Sequence, residues 1–275
     1  SIVRGDHADL QYSPLEEQAS VALWRSAGAE VSHPDYPREG RVGLLHVTSH
    51  GDLLDDGSPV ILLGSDRTIS ERDILQGPPI EAAFLNLCLG GRLSEDPLDG
   101  SPSGLVSALM RRGAKVVVAA LPPVDDLWAC VLGLMVTEAM ATEGLPLDRA
   151  LAIAKRQLGD GVPATVIASL KDWYMARLDN VVREHAHSYR RRPDACARAA
   201  LKAALGANED STLLTELTAA LTDVPDRDRP ATAAQLLASP AWTAFEARLA
   251  TGPGPAEHGA LVHGMIAFGE STPTS

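Results

Sequence analysis

The stretch VGLLHVTSHG (residues 42–51) decides how this chain is read. Its first seven residues are apolar apart from His46 and Thr48, as in a strand covered on both faces of a parallel sheet, and it stops abruptly at Ser49-His50-Gly51. Two later runs have the same character, AAFLNL (82–87) and KVVVAAL (115–121). Helical stretches separate them. Ser13-Pro14-Leu15-Glu16 reads as an N-cap with Pro at the first helical position and Glu two further on, opening an amphipathic run that ends near Gly28. Residues 103–112 place Leu105, Ala108, Leu109 and Arg112 at helical spacing and stop at Gly113, and residues 125–142 read as a longer helix with Asp125 and Asp126 where the helix dipole favours them. Residues 60–63 and 67–69, parted by Gly64-Ser65-Asp66, read as a small antiparallel excursion before a short helix from Ser70. Strands alternating with helices imply an α/β sandwich around a mostly parallel, right-handed sheet.

Beyond about residue 145 the pattern changes. Stretches 147–158, 163–189, 194–205, 211–221 and 231–249 are all helical in character, with no strand among them. The Gly252-Pro253-Gly254-Pro255 linker then leads to ALVHGMIAF (260–268), which reads as one more strand. The expected organisation is a core over 1–160, an α-helical insertion or subdomain over 161–256, and a returning strand and tail over 257–275.

The chain has 275 residues and a formal net charge of −12, from 36 Asp+Glu against 24 Lys+Arg. That balance argues against a nucleic-acid backbone or an anionic membrane surface as partner, because both attract cations. Residues 1–100 are net −10, residues 101–200 net +3 and residues 201–275 net −5. A site in the first hundred residues sits in a field that favours a cationic ligand. Cys88, Cys130 and Cys196 form an odd set without metal-ligand spacing, so no disulfide framework, metal or cofactor is expected and a reducing cytoplasm fits best. The most apolar stretch, 116–136, is broken by Pro122, Pro123, Asp125 and Asp126, which excludes it as a membrane span.

In open parallel sheets, sites form at the carboxyl ends of strands. Here those ends are Thr48-Ser49-His50-Gly51, Asn86-Leu87-Cys88 with Leu89-Gly90-Gly91 after it, and Pro122-Pro123-Val124-Asp125-Asp126. A lone Cys at a strand end is ordinarily a small buried hydrophobe, and a lone His-Gly a turn. Delivered to one sheet edge by different strands, His50 and Cys88 make a thiol nucleophile with an imidazole to take up and return its proton. The backbone N–H groups of Gly51 and Cys88 then suit an oxyanion hole.

These residues resemble a known family. LLHVTSHG (44–51) looks like the histidine-glycine motif of CHAT-domain cysteine peptidases, relatives of caspases, separase and gingipains, in which an earlier His commonly stands four residues before the catalytic one, as His46 stands before His50. AFLNLCLGGR (83–92) matches the strand that ends in the family's nucleophile, with Asn86-Leu87 where a small residue and Ala are more usual. GLVSALMRRGAKVVVAALPPVDD (104–126) resembles the helix, strand and Pro-Val-Asp-Asp corner that follow, with Pro122 where Trp is frequent. Weaker similarity at GDHADLQYSPLEEQASVALW and at the closing strand extends the resemblance to roughly 1–160 and 258–270. The short segment between Val31 and Val42, where the family often has a full helix, and the helices from 160 to 256 depart from it.

The resemblance implies a caspase-like three-layer α/β/α sandwich with a helical insertion, and a cysteine endopeptidase acting on a protein or peptide substrate. In it Cys88 is the nucleophile and His50 the general acid/base, without an obligatory third carboxylate. His46, about 13 Å back along the strand, is expected in the core or a second layer. His185 and His187, at i, i+2 on a helix, face apart and read as solvated. Asp125, Asp126 and Glu95, with Asp96 and Asp99 nearby, either cap and solvate the surface or line a pocket for a basic P1 residue, Arg or Lys. Arg190-Arg191-Arg192 reads as a solvated cluster or as a self-cleavage site. The family points to bacterial signalling or defence and to regulation by a protein partner or fused domain. A catalytically silent caspase-like scaffold is the alternative. A nucleotide site at Leu89–Arg92 is disfavoured because no P-loop or Gly-x-Gly-x-x-Gly spacing accompanies it.

Overall fold

The three apolar runs form the middle of one sheet. In the computed structural model, Val42–Thr48 (β2), Ile80–Asn86 (β6) and Val116–Ala120 (β9) lie side by side and parallel. Ile2–Arg4 (β1) adds in parallel outside β2, and Met265–Gly269 (β10) adds antiparallel outside β9. The structure describes the whole chain except residues 6–9, 11, 33–34, 65–66, 96–101, 189–197, 200, 203–213, 216, 220–231 and 270–275.

Alternation along the strands sets the layers. Leu45 and Val47 of β2, Ala83 and Leu85 of β6, and Val117 and Ala119 of β9 share one buried cluster with Ile74 of Glu71–Gln76 (α2) and with Leu105 and Leu109 of Leu105–Arg111 (α3). The opposite parity, including His46, Thr48, Phe84 and Asn86, meets Ser13–Ser26 (α1) and Asp126–Glu143 (α4). Helix α4 packs against α1, where Ser20 Oγ lies 3.4 Å from Thr137 Oγ1, and against Leu147–Asp160 (α5). Helices on both faces of a mostly parallel sheet make a caspase-like α/β/α sandwich.

Between β2 and α2 the chain builds the antiparallel excursion as a separate sheet of His50–Leu53 (β3), Pro59–Leu62 (β4) and Thr68–Ile69 (β5). Ser70 caps α2 in a reciprocal capping box with Asp73. After β6, Ser94–Glu95 (β7) pairs with Pro102–Ser103 (β8).

Two expectations need correction. The run at 260–268 is not one strand: Pro255–Gly264 is a helix (α9, after the three helices α6–α8 described within residues 164–250), and only Met265–Gly269 pairs with β9. A short apolar run rich in Ala, Leu and Met carries no period that separates buried helix from strand. The helix starts on a Pro, which suits a first helical turn, and Leu261 is buried on its inner side. The N-cap of α1 is Tyr12, not Ser13, so Ser13 and Pro14 are helical and Glu16 is not a capping side chain.

The chain divides into two compact units, residues 1–160 with 253–275, and residues 161–252. The first contains all ten strands described above. The second is helical in its described residues, with Ala164–Ser188 (α6), Ala233–Leu237 (α7) and Pro240–Ala250 (α8). The whole chain holds four Trp, four Tyr and three Phe, and this unit gathers Trp173, Tyr174, Trp242 and Phe245 into one aromatic core. Tyr174 lies 5.2 Å from Trp242 and 6.0 Å from Phe245 between ring centroids, both edge-on. Residues 190–192 lie outside the described residues, as do most of 194–205 and 211–221.

Candidate active site

Strands β2 and β6 end on the same rung, Thr48 opposite Asn86. Two residues later each chain presents its candidate, His50 at the start of β3 and Cys88 in the turn after β6. The two turns touch. A Cβ placed on Gly51 would lie 1.9 Å from the Cys88 carbonyl oxygen and 2.5 Å from Leu87 Cδ1. Only glycine lets these backbones approach so closely.

The bonding pattern of the small sheet fixes where Gly51 points. Leu54 N–H donates to the Ser58 carbonyl (2.9 Å) at the end of the β3–β4 hairpin. Bonded and open pairs alternate in an antiparallel ladder, so Asp52–Val60 and His50–Leu62 are bonded pairs and Gly51–Ile61 is an open one. Ile61 is in phase with the bonds to β5 instead, since Leu63 N–H donates to Arg67 (2.7 Å) and Ile61 pairs with Ile69. Because β3 is an edge strand, the Gly51 N–H is directed off the open side of the sheet.

Cys88 is half-buried, and its sulfur rests on the backbone of Val124 in the Pro-Pro-Val-Asp-Asp corner. The Val124 N–H donates to Sγ at 3.4 Å, and Sγ lies 3.8 Å from the Val124 carbonyl. The next residue, Leu89, has φ of +60°, the one non-glycine with positive φ among the described residues. Such a conformation costs about 1–3 kcal/mol and persists only where the surroundings hold it. Gly91 N–H donates to the Ala120 carbonyl (2.9 Å), tying the turn to the end of β9. Cys130 contrasts with Cys88: burial first, then the carboxylates of Glu16 and Asp126, push its thiol well above its ordinary range. Cys196 lies outside the described residues.

The acidic candidates lie around this edge in different settings. Asp125 is exposed and caps α4, its Oδ1 accepting from Trp128 N–H at 3.1 Å. Asp126 is half-buried, and its Oδ2 accepts the Tyr12 N–H at 3.1 Å. Glu95 sits on β7, opposite Pro102. Asp96 and Asp99 lie outside the described residues, as do Arg190, Arg191 and Arg192. Among the described residues no group of three or more His, Cys, Asp or Glu is arranged to hold a metal ion.

A buried polar cluster lies directly beneath the edge. Glu16, 1% exposed, reaches from α1 to the last rung of the sheet. Its carboxylate accepts from His46 Nε2 at 2.7 Å, from Thr48 Oγ1 at 3.0 Å and from Asn86 Nδ2 at 2.8 Å to each oxygen. His46 also lies 4.9 Å from Phe84 between ring centroids, so it belongs to the layer under the edge. The sequence placed Glu16 only in the first turn of a helix, and this cluster was missed. The available signal was the shared parity of His46 and Thr48, two polar side chains on the helix-facing side of a buried strand, with Asn86 opposite.

A His-Gly turn and a cysteine turn meeting at the carboxyl ends of adjacent parallel strands, inside an α/β/α sandwich, define the caspase-like class. The chain belongs to the CHAT-domain family, whose model matches residues 15–189, more than half of its length. That family is associated with the caspase-like cysteine peptidase fold. No curated protein matches the chain.

Proposed function

We propose that this protein is a cysteine endopeptidase in which Cys88 and His50 form a catalytic dyad. The observation that carries the reading is the backbone contact of Gly51 with Cys88, which holds the histidine and cysteine turns together. In the proposed reaction Cys88 Sγ gives up its proton to His50 and attacks the scissile carbonyl carbon. The carbonyl oxygen takes the negative charge between the N–H groups of Gly51 and Cys88. The C–N bond breaks as His50 returns the proton to the leaving amine, and water, deprotonated by His50, then releases the acyl group from sulfur. The outward direction of the Gly51 N–H supports its part in this scheme.

Substrate preference is the second element of the proposal. Asp125 keeps a carboxylate at the surface beside the corner that holds the sulfur, which supports recognition of Arg or Lys at P1, with Asp126 and Glu95 as further candidates. The protein or peptide cleaved carries a basic segment, and activity is controlled by a protein partner or fused domain in a bacterial, cytoplasmic setting. No described helix is long and apolar enough to cross a membrane.

A panel of peptides varied at P1 tests the proposal on wild type and Cys88→Ala. Cleavage after Arg or Lys, absent in Cys88→Ala, is expected. Preference for acidic or small apolar P1 residues refutes the specificity, and equal turnover by Cys88→Ala refutes the nucleophile. Identical intact masses of the two proteins would remove self-processing at Arg190–Arg192.

A further inference from the structure

We infer that Glu16 is a positioning residue, one carboxylate that locks together the strand ends bearing His50 and Cys88; the inference rests on the dyad proposed above. Thr48 stands two residues before His50 and Asn86 two residues before Cys88, and they face each other on the last rung that joins β2 to β6. Beyond that rung both chains leave the ladder and backbone pairing no longer fixes their separation. Glu16 bonds to both side chains there, and to His46 one step behind. Asn86 Nδ2 also donates to the Ala129 carbonyl (2.9 Å) in the first turn of α4, the helix whose entry corner seats the Cys88 sulfur on Val124. One group from α1 thus joins the histidine strand to the cysteine strand, and Asn86 carries the link on to the helix that follows the sulfur's seat.

Energetics favour a positional role. Burying a carboxylate costs several kcal/mol, and well-packed apolar residues often serve stability equally well or better. Here the cost is offset by donors on both strands, His46 and Thr48 on β2 and Asn86 on β6. Helix α4 is also shaped around the carboxylate: a Cβ on Gly133 would lie 2.1 Å from Glu16 Oε1. Glu16→Gln replaces an acceptor oxygen with an N–H donor facing groups that already donate. Thr48→Val removes one hydroxyl from the cluster at nearly constant volume.

The test measures alkylation of Cys88 by iodoacetamide, with glutathione as the reference thiol, in wild type, His50→Ala, Glu16→Gln, Thr48→Val and Leu45→Ala. Leu45 lies on β2 but faces the opposite core, so its truncation lowers Tm without touching the cluster. Wild-type Cys88 should react faster than the same cysteine in His50→Ala, a comparison at equal exposure, whereas buried Cys130 stays slow in every variant. Glu16→Gln should slow Cys88 by about 10²-fold and Thr48→Val by about tenfold, the scale of a misplacement near 1 Å, while Leu45→Ala stays within about twofold of wild type. Wild-type rates in both cluster variants, or losses no greater than in a Leu45→Ala protein of equal Tm, overturn the inference while leaving the dyad standing. Should Glu16→Gln fail to fold by circular dichroism, Thr48→Val decides. Wild-type reactivity that does not depend on His50 overturns the dyad itself, and this inference with it.

Discussion

At the scale of single residues, the site depends on what Gly51 lacks. Its missing Cβ would collide with a carbonyl oxygen, a backbone atom that cannot swing aside as a flexible side chain does. Gly51→Ala should therefore cost about 1–3 kcal/mol in a denaturant titration, the usual range for overpacking. It should also reduce peptide cleavage by about 10²-fold through displacement of the His50 turn from Cys88. Unchanged stability and turnover would show that the two turns are not in contact. Cys130 supplies a second prediction, in pH. Its folded-state pKa is raised above the ordinary value of 9.0, so its contribution to stability is fully present below that value. The contribution is lost as pH rises above it, because the unfolded thiol ionises first. Wild type should lose stability more steeply than Cys130→Ala above pH 9, with parallel curves below it. Both candidate residues of the dyad were legible in the sequence because each sits where an apolar run stops. Glu16 was not, since an acidic residue near a helix start is as easily read as a dipole partner as a buried acceptor.

Elements carry the next level of argument, and Asp125 shows how one side chain can serve two roles. As the N-cap of α4 it contributes about 1 kcal/mol, which Asp125→Ala should lose. Asn caps as well as Asp but is uncharged, so Asp125→Asn should keep the melting temperature. Under the proposed specificity it should still lower kcat/KM for peptides with Arg at P1. Equal kcat/KM for Asp125→Asn and wild type would confine Asp125 to capping. The long elements were readable because burial on both faces gives strands a continuous apolar run and helices a 3.6-residue period. Reading failed where those signals are shortest. Three residues of β1 are too few to show any pattern, and the change from α9 to β10 falls inside one apolar run, set by where Met265 meets Ala120 rather than by local preference.

For the whole molecule, the uneven charge links sequence to proposed substrate. The first hundred residues, net −10, contain both His50 and Cys88. Cleavage of a basic peptide should weaken several-fold as salt rises from about 0.05 to about 0.5 M, because the Debye length shrinks across that range. Salt-independent kcat/KM would separate recognition from this field. The α/β/α class followed from the alternation of strands and helices, whereas the face each buried side chain takes emerges only once strand register is known. The most direct test of the central claim is mass-spectrometric mapping of a peptidyl chloromethyl ketone with Arg at P1. The account predicts one adduct, on Cys88, lost in His50→Ala. An adduct distributed equally over Cys88 and the other cysteines, or one formed as fast in His50→Ala, would contradict it.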